Sequence, residues 1–149
     1  MNMLILQIIF TLSIFSISGC SILSSKAEYI PDGKVLESAV IDVPYLSRIY
    51  ILGGGVVHGR NHQTDGIGLV TPNDAGISLR NCQYPEWRVK QMKPRDSNNY
   101  NCIEVYGTPA ILGVVKINIK GKMYGSMIAP AGNFSKDYVL NIVNSNRDL

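Results

Sequence analysis

At 149 residues with a formal net charge of +3, the chain has room for one domain of ordinary size. It holds no internal repeat and no low-complexity tract, which excludes a repeat array. It also lacks a Gly-x-Ser-x-Gly elbow, and the run Gly53-Gly54-Gly55 lacks the Lys-Ser/Thr ending of a phosphate loop, so two common catalytic signatures are missing.

The first element is an apolar leader with no charged side chain before Lys26. Residues 4–23 come close to the roughly 20 residues of a membrane span, so an uncleaved anchor is one reading. Gln7, Thr11, Ser13, Ser16 and Ser18 dilute the run, however, and its strongly apolar part has about the length of a signal-peptide core. The leader closes on Ile17-Ser18-Gly19-Cys20, small residues followed by a thiol, and this quartet resembles a bacterial lipobox. The resemblance implies a signal peptide over residues 1–19 and a mature chain of 130 residues that begins at Cys20. Cys20 would carry a thioether-linked diacylglycerol and an acylated amine. Each buried lipid methylene contributes about 0.8 kcal/mol, so two or three acyl chains hold a protein at a membrane essentially permanently. Residues 1–7 depart from the family pattern in having no Lys or Arg. Ser21, where an Asp would imply retention in the inner membrane, implies the outer membrane of a Gram-negative cell, facing the periplasm; a Gram-positive surface is the alternative.

Residues 20–44 read as the lipidated cysteine and a tether. Ser21, Ser24, Ser25, Pro31, Asp32, Gly33 and Pro44 break the segment up, and Val35, Leu36, Val40 and Ile41 suffice at most for a peripheral strand or a turn of helix. Fully extended, such a tether reaches about 75 Å.

From residue 45 to 149 the pattern is that of a single β-domain. Arg48-Ile49-Tyr50-Ile51-Leu52 is β-branched and aromatic, and it runs into three glycines before Val56-Val57, as a strand does when it bends at a bulge or admits another backbone. Short strands fit residues 68–71, 77–82 and 102–106. Glu86-Trp87-Arg88-Val89-Lys90 alternates like a half-buried strand, and so does Val115-Lys116-Ile117-Asn118-Ile119-Lys120. Gly121-Lys122 is the expected hairpin turn into a strand over residues 123–128. At the C-terminus Ser135 can cap a helix through Val143, although the same stretch alternates as a strand. The fold class is therefore all-β. A glycine-kinked strand at residues 51–57, with Cys102-Ile103-Glu104-Val105-Tyr106-Gly107-Thr108 later on, resembles a small OB-like, partly open β-barrel; a β-sandwich is the alternative.

Export suits a disulfide. With Cys20 assigned to lipid, Cys82 and Cys102 form an even pair, and closing their loop of about 20 residues contributes on the order of 3 kcal/mol. Two unlinked thiols or metal ligands are the competing readings. In unbulged strands, parity puts both cysteines opposite the core: Cys82 with Ser78 and Arg80, Cys102 with Glu104 and Tyr106.

Four side chains are candidates for binding. Arg88 and Lys90 alternate with Trp87 and Val89, and Lys116 and Lys120 with Ile117 and Ile119, so these cations are expected on solvent-facing sides. Residues 75–133 hold eight basic against three acidic residues, where residues 20–74 hold four against six. The basic face is either plain solvation or a surface for lipid headgroups, lipopolysaccharide phosphates or an acidic protein. Interleaved aromatics also suit nucleic acid, but export argues against that partner. Trp87 is expected in the core. His58, His62 and Asp65 have the residue types of an open metal site, but they lie amid Gly and Asn that mark a turn.

The reading of the sequence is thus a non-enzymatic envelope lipoprotein, with no cofactor, that binds a protein or an anionic envelope polymer as an accessory, inhibitor or immunity factor. The alternative is a small envelope hydrolase or metal-dependent enzyme built on His58, His62 and Asp65.

Overall fold

Alternation of apolar and polar side chains builds most of the chain into strands, and the computed structural model describes them over residues 26–57, 67–91, 97–127 and 129–145. In chain order these are β1 (Glu28–Ile30), β2 (Ala39–Val40), β3 (Tyr45–Leu52), β4 (Gly68–Thr71), β5 (Ile77–Gln83), β6 (Asn98–Gly107), β7 (Gly113–Met123) and β8 (Gly132–Val143), with one helical turn, α1 (Glu86–Val89), after β5. They form two four-stranded sheets. Sheet one has the order β1-β3-β6-β5 and sheet two the order β2-β8-β7-β4, and neither closes into a barrel. The all-β expectation holds; of the two architectures, the separate sheets correspond to the sandwich.

The core lies between the sheets. Sheet one contributes Ile49 and Ile51 from β3, Ile77 from β5, and Ile103 and Val105 from β6; sheet two contributes Val115, Ile117 and Ile119 from β7, and Tyr138, Leu140 and Ile142 from β8. Every second residue of these strands points inward, as the pleat requires. All pairings are antiparallel except β2 with β8.

Several sequence expectations are corrected. Residues 28–44 are not tether: β1 and β2 pair into the sheets, and Leu36 and Ala39 belong to the core. The apolar group Val35, Leu36, Val40 and Ile41 allowed a peripheral strand, and β2 is one at the edge of its sheet; β1 was not expected, and the long neighbours β3 and β8 give the two their partners. The expected strand at residues 86–90 is α1. Pro85 has no N–H to offer a sheet, and its carbonyl accepts the amides of Arg88 and Val89, which starts a helical turn. Trp87 is consequently 65% exposed and not in the core, and Val89 is half-buried off any sheet. Gly121 is no turn but lies inside β7 opposite Phe134, where an added Cβ would come within 2.6 Å of the ring, so a bare backbone is what lets the aromatic lie flat there. The strand expected over residues 123–128 does not form as a separate one: Met123 ends β7, and residues 124–127 belong to the connection to β8. At the C-terminus the period-two pattern Phe134, Tyr138, Leu140, Ile142 prevails over the Ser135 cap, giving a strand and no helix.

The disulfide joins Cys82 of β5 to Cys102 of β6, with Cα atoms 5.3 Å apart. The pairing of β5 with β6 shifts register between Asn81 and Cys82, so the unbulged geometry behind the parity argument does not hold for β5. Both cysteines are buried, yet neither is part of the core between the sheets.

Candidate functional site

The four expected cations are split between two parts of the fold. Arg88 and Lys90 belong to α1 and its end, where the Arg88 guanidinium stacks over the Tyr84 ring at 4.5 Å. Lys116 and Lys120 lie on the outward side of β7, in sheet two. Between them Asn118 donates to Asp137 Oδ1 at 2.6 Å and to Ser135 Oγ at 3.1 Å, which locks the middle of that face into a polar network of its own. The alternation that suggested one basic face is real on β7 and absent at residues 86–90.

A different face concentrates recognition chemistry. The register of β3, β6 and β5 sets Arg48 opposite Glu104 and Glu104 opposite Arg80, so the three form a row across the outward side of sheet one. Arg48 Nε and Nη2 each lie 3.1 Å from Glu104 Oε1, and Arg80 Nε lies 2.7 Å from Oε2. Glu104 is only 6% exposed, while both arginine side chains are half in water. Burial raises the Glu104 pKa, but hydrogen bonds and charge from Arg80 and Arg48 outweigh it and hold the carboxyl below its ordinary range. Such a carboxylate is committed to its arginines and is a poor general acid or base. Each guanidinium keeps N–H donors that Glu104 does not use.

Around this row the face is apolar and aromatic. Arg80 lies over the Tyr106 ring at 4.2 Å, which fixes its direction. Leu46, Tyr50 and Leu52 share the outward side of β3 with Arg48, and Ile30 of β1 pairs opposite Tyr50; all four are between 40% and 55% exposed. Sequence reasoning did not single out Arg48 or Arg80 as binding candidates. A signal was present: β3 is apolar on both sides, which a strand with one solvated face does not need. The cross-strand register that assembles the row is not written in any one segment.

A second feature lies where β1 meets β8. Lys136 occupies an inward position of β8 between Phe134 and Tyr138, its side chain 13% exposed. Its ammonium donates to the Asp32 carbonyl at 2.6 Å and sits 4.8 Å and 5.1 Å from the Tyr29 and Tyr138 ring centres. Tyr138 donates its hydroxyl to the Pro31 carbonyl at 2.8 Å. Burial, with the neighbouring Tyr29 and Asp32, pushes the Tyr138 hydroxyl up to about 12. An open groove of about 820 Å³ runs beside it, lined by three lysines and three carboxylates. Its charge is balanced and its cation already paired, so the groove reads as structural.

Cys20 and the trio His58, His62 and Asp65 lie outside the described residues. Among the described residues no group of three or more His, Cys, Asp and Glu side chains is placed to hold a metal ion. Compared with known protein families, curated proteins and solved structures, the chain matches none.

Proposed function

We propose that this chain is a lipid-anchored envelope lipoprotein, carried at the outer membrane by acyl chains on Cys20, whose β-sandwich is a non-enzymatic binding module. The surface it offers to a protein partner is the outward side of sheet one. One observation supports this above others: the row Arg48–Glu104–Arg80 is held in place among four large apolar side chains that water covers only in part. Arginine, tyrosine and aliphatic groups in one patch are the chemistry of interface centres. The spare guanidinium donors suit carboxylates on the partner, as an accessory, inhibitor or immunity factor would meet.

A photo-crosslinking residue placed at Leu46 or Tyr50 in living cells tests the reading, with Leu69 and Val114 on sheet two as the comparison. A discrete adduct is expected from the sheet-one positions alone, and it should fade when Arg48 and Arg80 are both changed to Gln. The same adducts from both sheets, or none from sheet one, would overturn it.

A further inference from the structure

The chain enters the sandwich at one particular end. Glu28 pairs opposite Leu52, the last residue of β3, so the peptide arriving from Cys20 joins where β3, β5 and β7 finish and β6 and β8 start. The contacts there are close. A Cβ on Gly53 would run into the Lys26 carbonyl, the Tyr124 amide donates to the Gly55 carbonyl at 2.8 Å, and the Val57 amide to the Lys122 carbonyl at 2.8 Å. Asn101 of β6 ties the same turn down, donating to the carbonyls of Ile51 at 2.8 Å and Gly54 at 2.6 Å and accepting from the Val56 amide at 3.1 Å.

This end also gathers exposed side chains of interfacial character. Trp87 on α1 is 65% exposed, Tyr124 is 52% exposed and Met127 is fully exposed, the last two in the connection between β7 and β8. Among the described residues, the cations Lys26, Arg88, Lys90 and Lys122 are with them, against the carboxylates of Glu28 and Glu86. Tryptophan and tyrosine favour the headgroup layer of a bilayer, where one edge of the ring is wet and the rest is not. Basic residues beside them are drawn to an anionic leaflet.

We propose that this end of the sandwich rests on the membrane, with Trp87, Tyr124 and Met127 among the headgroups and Lys26, Arg88, Lys90 and Lys122 against anionic lipid. The orientation rests on the lipoprotein reading. Lys26 lies six positions after Cys20, a reach of about 20 Å even when fully extended. The eleven residues of β7 alone span roughly 35 Å. A lipid on Cys20 therefore holds this end near the bilayer and leaves the opposite end out of its reach.

Trp87 is the chain's one tryptophan, so its emission reports on this end directly. The mature chain is reconstituted into phosphatidylethanolamine vesicles with and without a fifth of phosphatidylglycerol, and mass spectrometry of the Cys20 peptide records separately whether acyl chains are present. Chain beginning at Ser21, which contains every strand described, is added to the same vesicles, with circular dichroism to check its fold. With anionic vesicles Trp87 emission should shift to the blue, brominated lipid should quench it, and access of acrylamide should fall at least twofold. Changing Arg88, Lys90 and Lys122 to Gln should abolish most of that protection in the Ser21 form. Unchanged acrylamide access in both forms overturns the proposal whatever the Cys20 peptide carries. Protection of Trp87 in native envelopes but not in protein-free vesicles overturns it too, by assigning this end to a protein. An acyl-free Cys20 peptide removes the anchor while leaving the vesicle result for the Ser21 form to decide the docking.

Discussion

The outward faces of the two sheets are built from similar amounts of charge and put it to opposite use. On sheet two, Lys116 and Lys120 stand in water, and Asn118, Ser135 and Asp137 satisfy one another between them. On sheet one the charges converge on a single buried carboxylate, and the side chains around them are large and apolar. A dispersed lysine row costs little to keep solvated and contributes little to stability. A carboxylate drawn out of water must be held by its partners, and what it gains is a fixed direction for two guanidiniums. The difference teaches that the count of charges says less about a face than how much of their hydration has been given up.

The largest way to break the contrast is through the disulfide, which strengthens sheet one and has no counterpart among the described residues of sheet two. Replacing Cys82 and Cys102 together with Ser should cost about 3 kcal/mol, read as a lower denaturant midpoint with an unchanged slope. Equal midpoints for the parent and the double variant would show that the β5–β6 pairing is sufficient without it.

Glu104→Gln tests the row itself. The variant should lose about 1–2 kcal/mol at pH 7, because two charge-assisted hydrogen bonds are weakened while both arginines can still turn to water. The pH dependence has a definite sign. A carboxyl held below its ordinary value of 4.5 adds stability that is complete above that value and is lost as the pH falls through the folded-state value. The gap in melting temperature between parent and variant should therefore close below pH 4.5, and a gap that persists to pH 3 would mean that the row does not act through charge.

Tyr138→Phe probes the seam between the sheets. Its hydroxyl, pushed up to about 12 from 10, adds stability below pH 10 that is lost as the pH rises toward 12. The variant should be about 1 kcal/mol less stable at pH 7 and should lack that part of the alkaline decline. A pH titration of unfolding from 8 to 12 checks both halves. The smallest effect is expected from Lys116→Gln with Lys120→Gln, within about 0.5 kcal/mol of the parent at any salt concentration. A larger, salt-sensitive change would make sheet two a built surface and erase the contrast.

The limits of sequence reading follow the same physical line. Strands with strict alternation were legible: β4 falls on residues 68–71 as expected, β5 and β6 contain the expected residues 77–82 and 102–106, and β7 contains 115–120. The pairing of Cys82 with Cys102 followed from counting thiols. Alternation failed at residues 86–90, where one missing N–H at Pro85 decided the outcome, and at Gly121, whose role depends on the Phe134 ring, thirteen positions away in sequence but directly opposite on the next strand. The candidate site was the least legible part. Arg48 and Glu104 are 56 positions apart in sequence, and only the register between β3 and β6 makes them neighbours.

With a lipid on Cys20, β1 becomes the strand through which any pull on the domain arrives. Its ladder with β3 is three residues long, and a ladder that short opens one rung at a time when peeled from its end. Just past it, Tyr138 and Lys136 grip the carbonyl oxygens of Pro31 and Asp32 from the other sheet. Tension that parts β1 from β3 therefore passes to β8, eleven of whose twelve residues pair along β7, and is shared over the longest pairing in the fold. The mooring line is made fast to both sheets, so a load that strips the edge of one still has the other to lift.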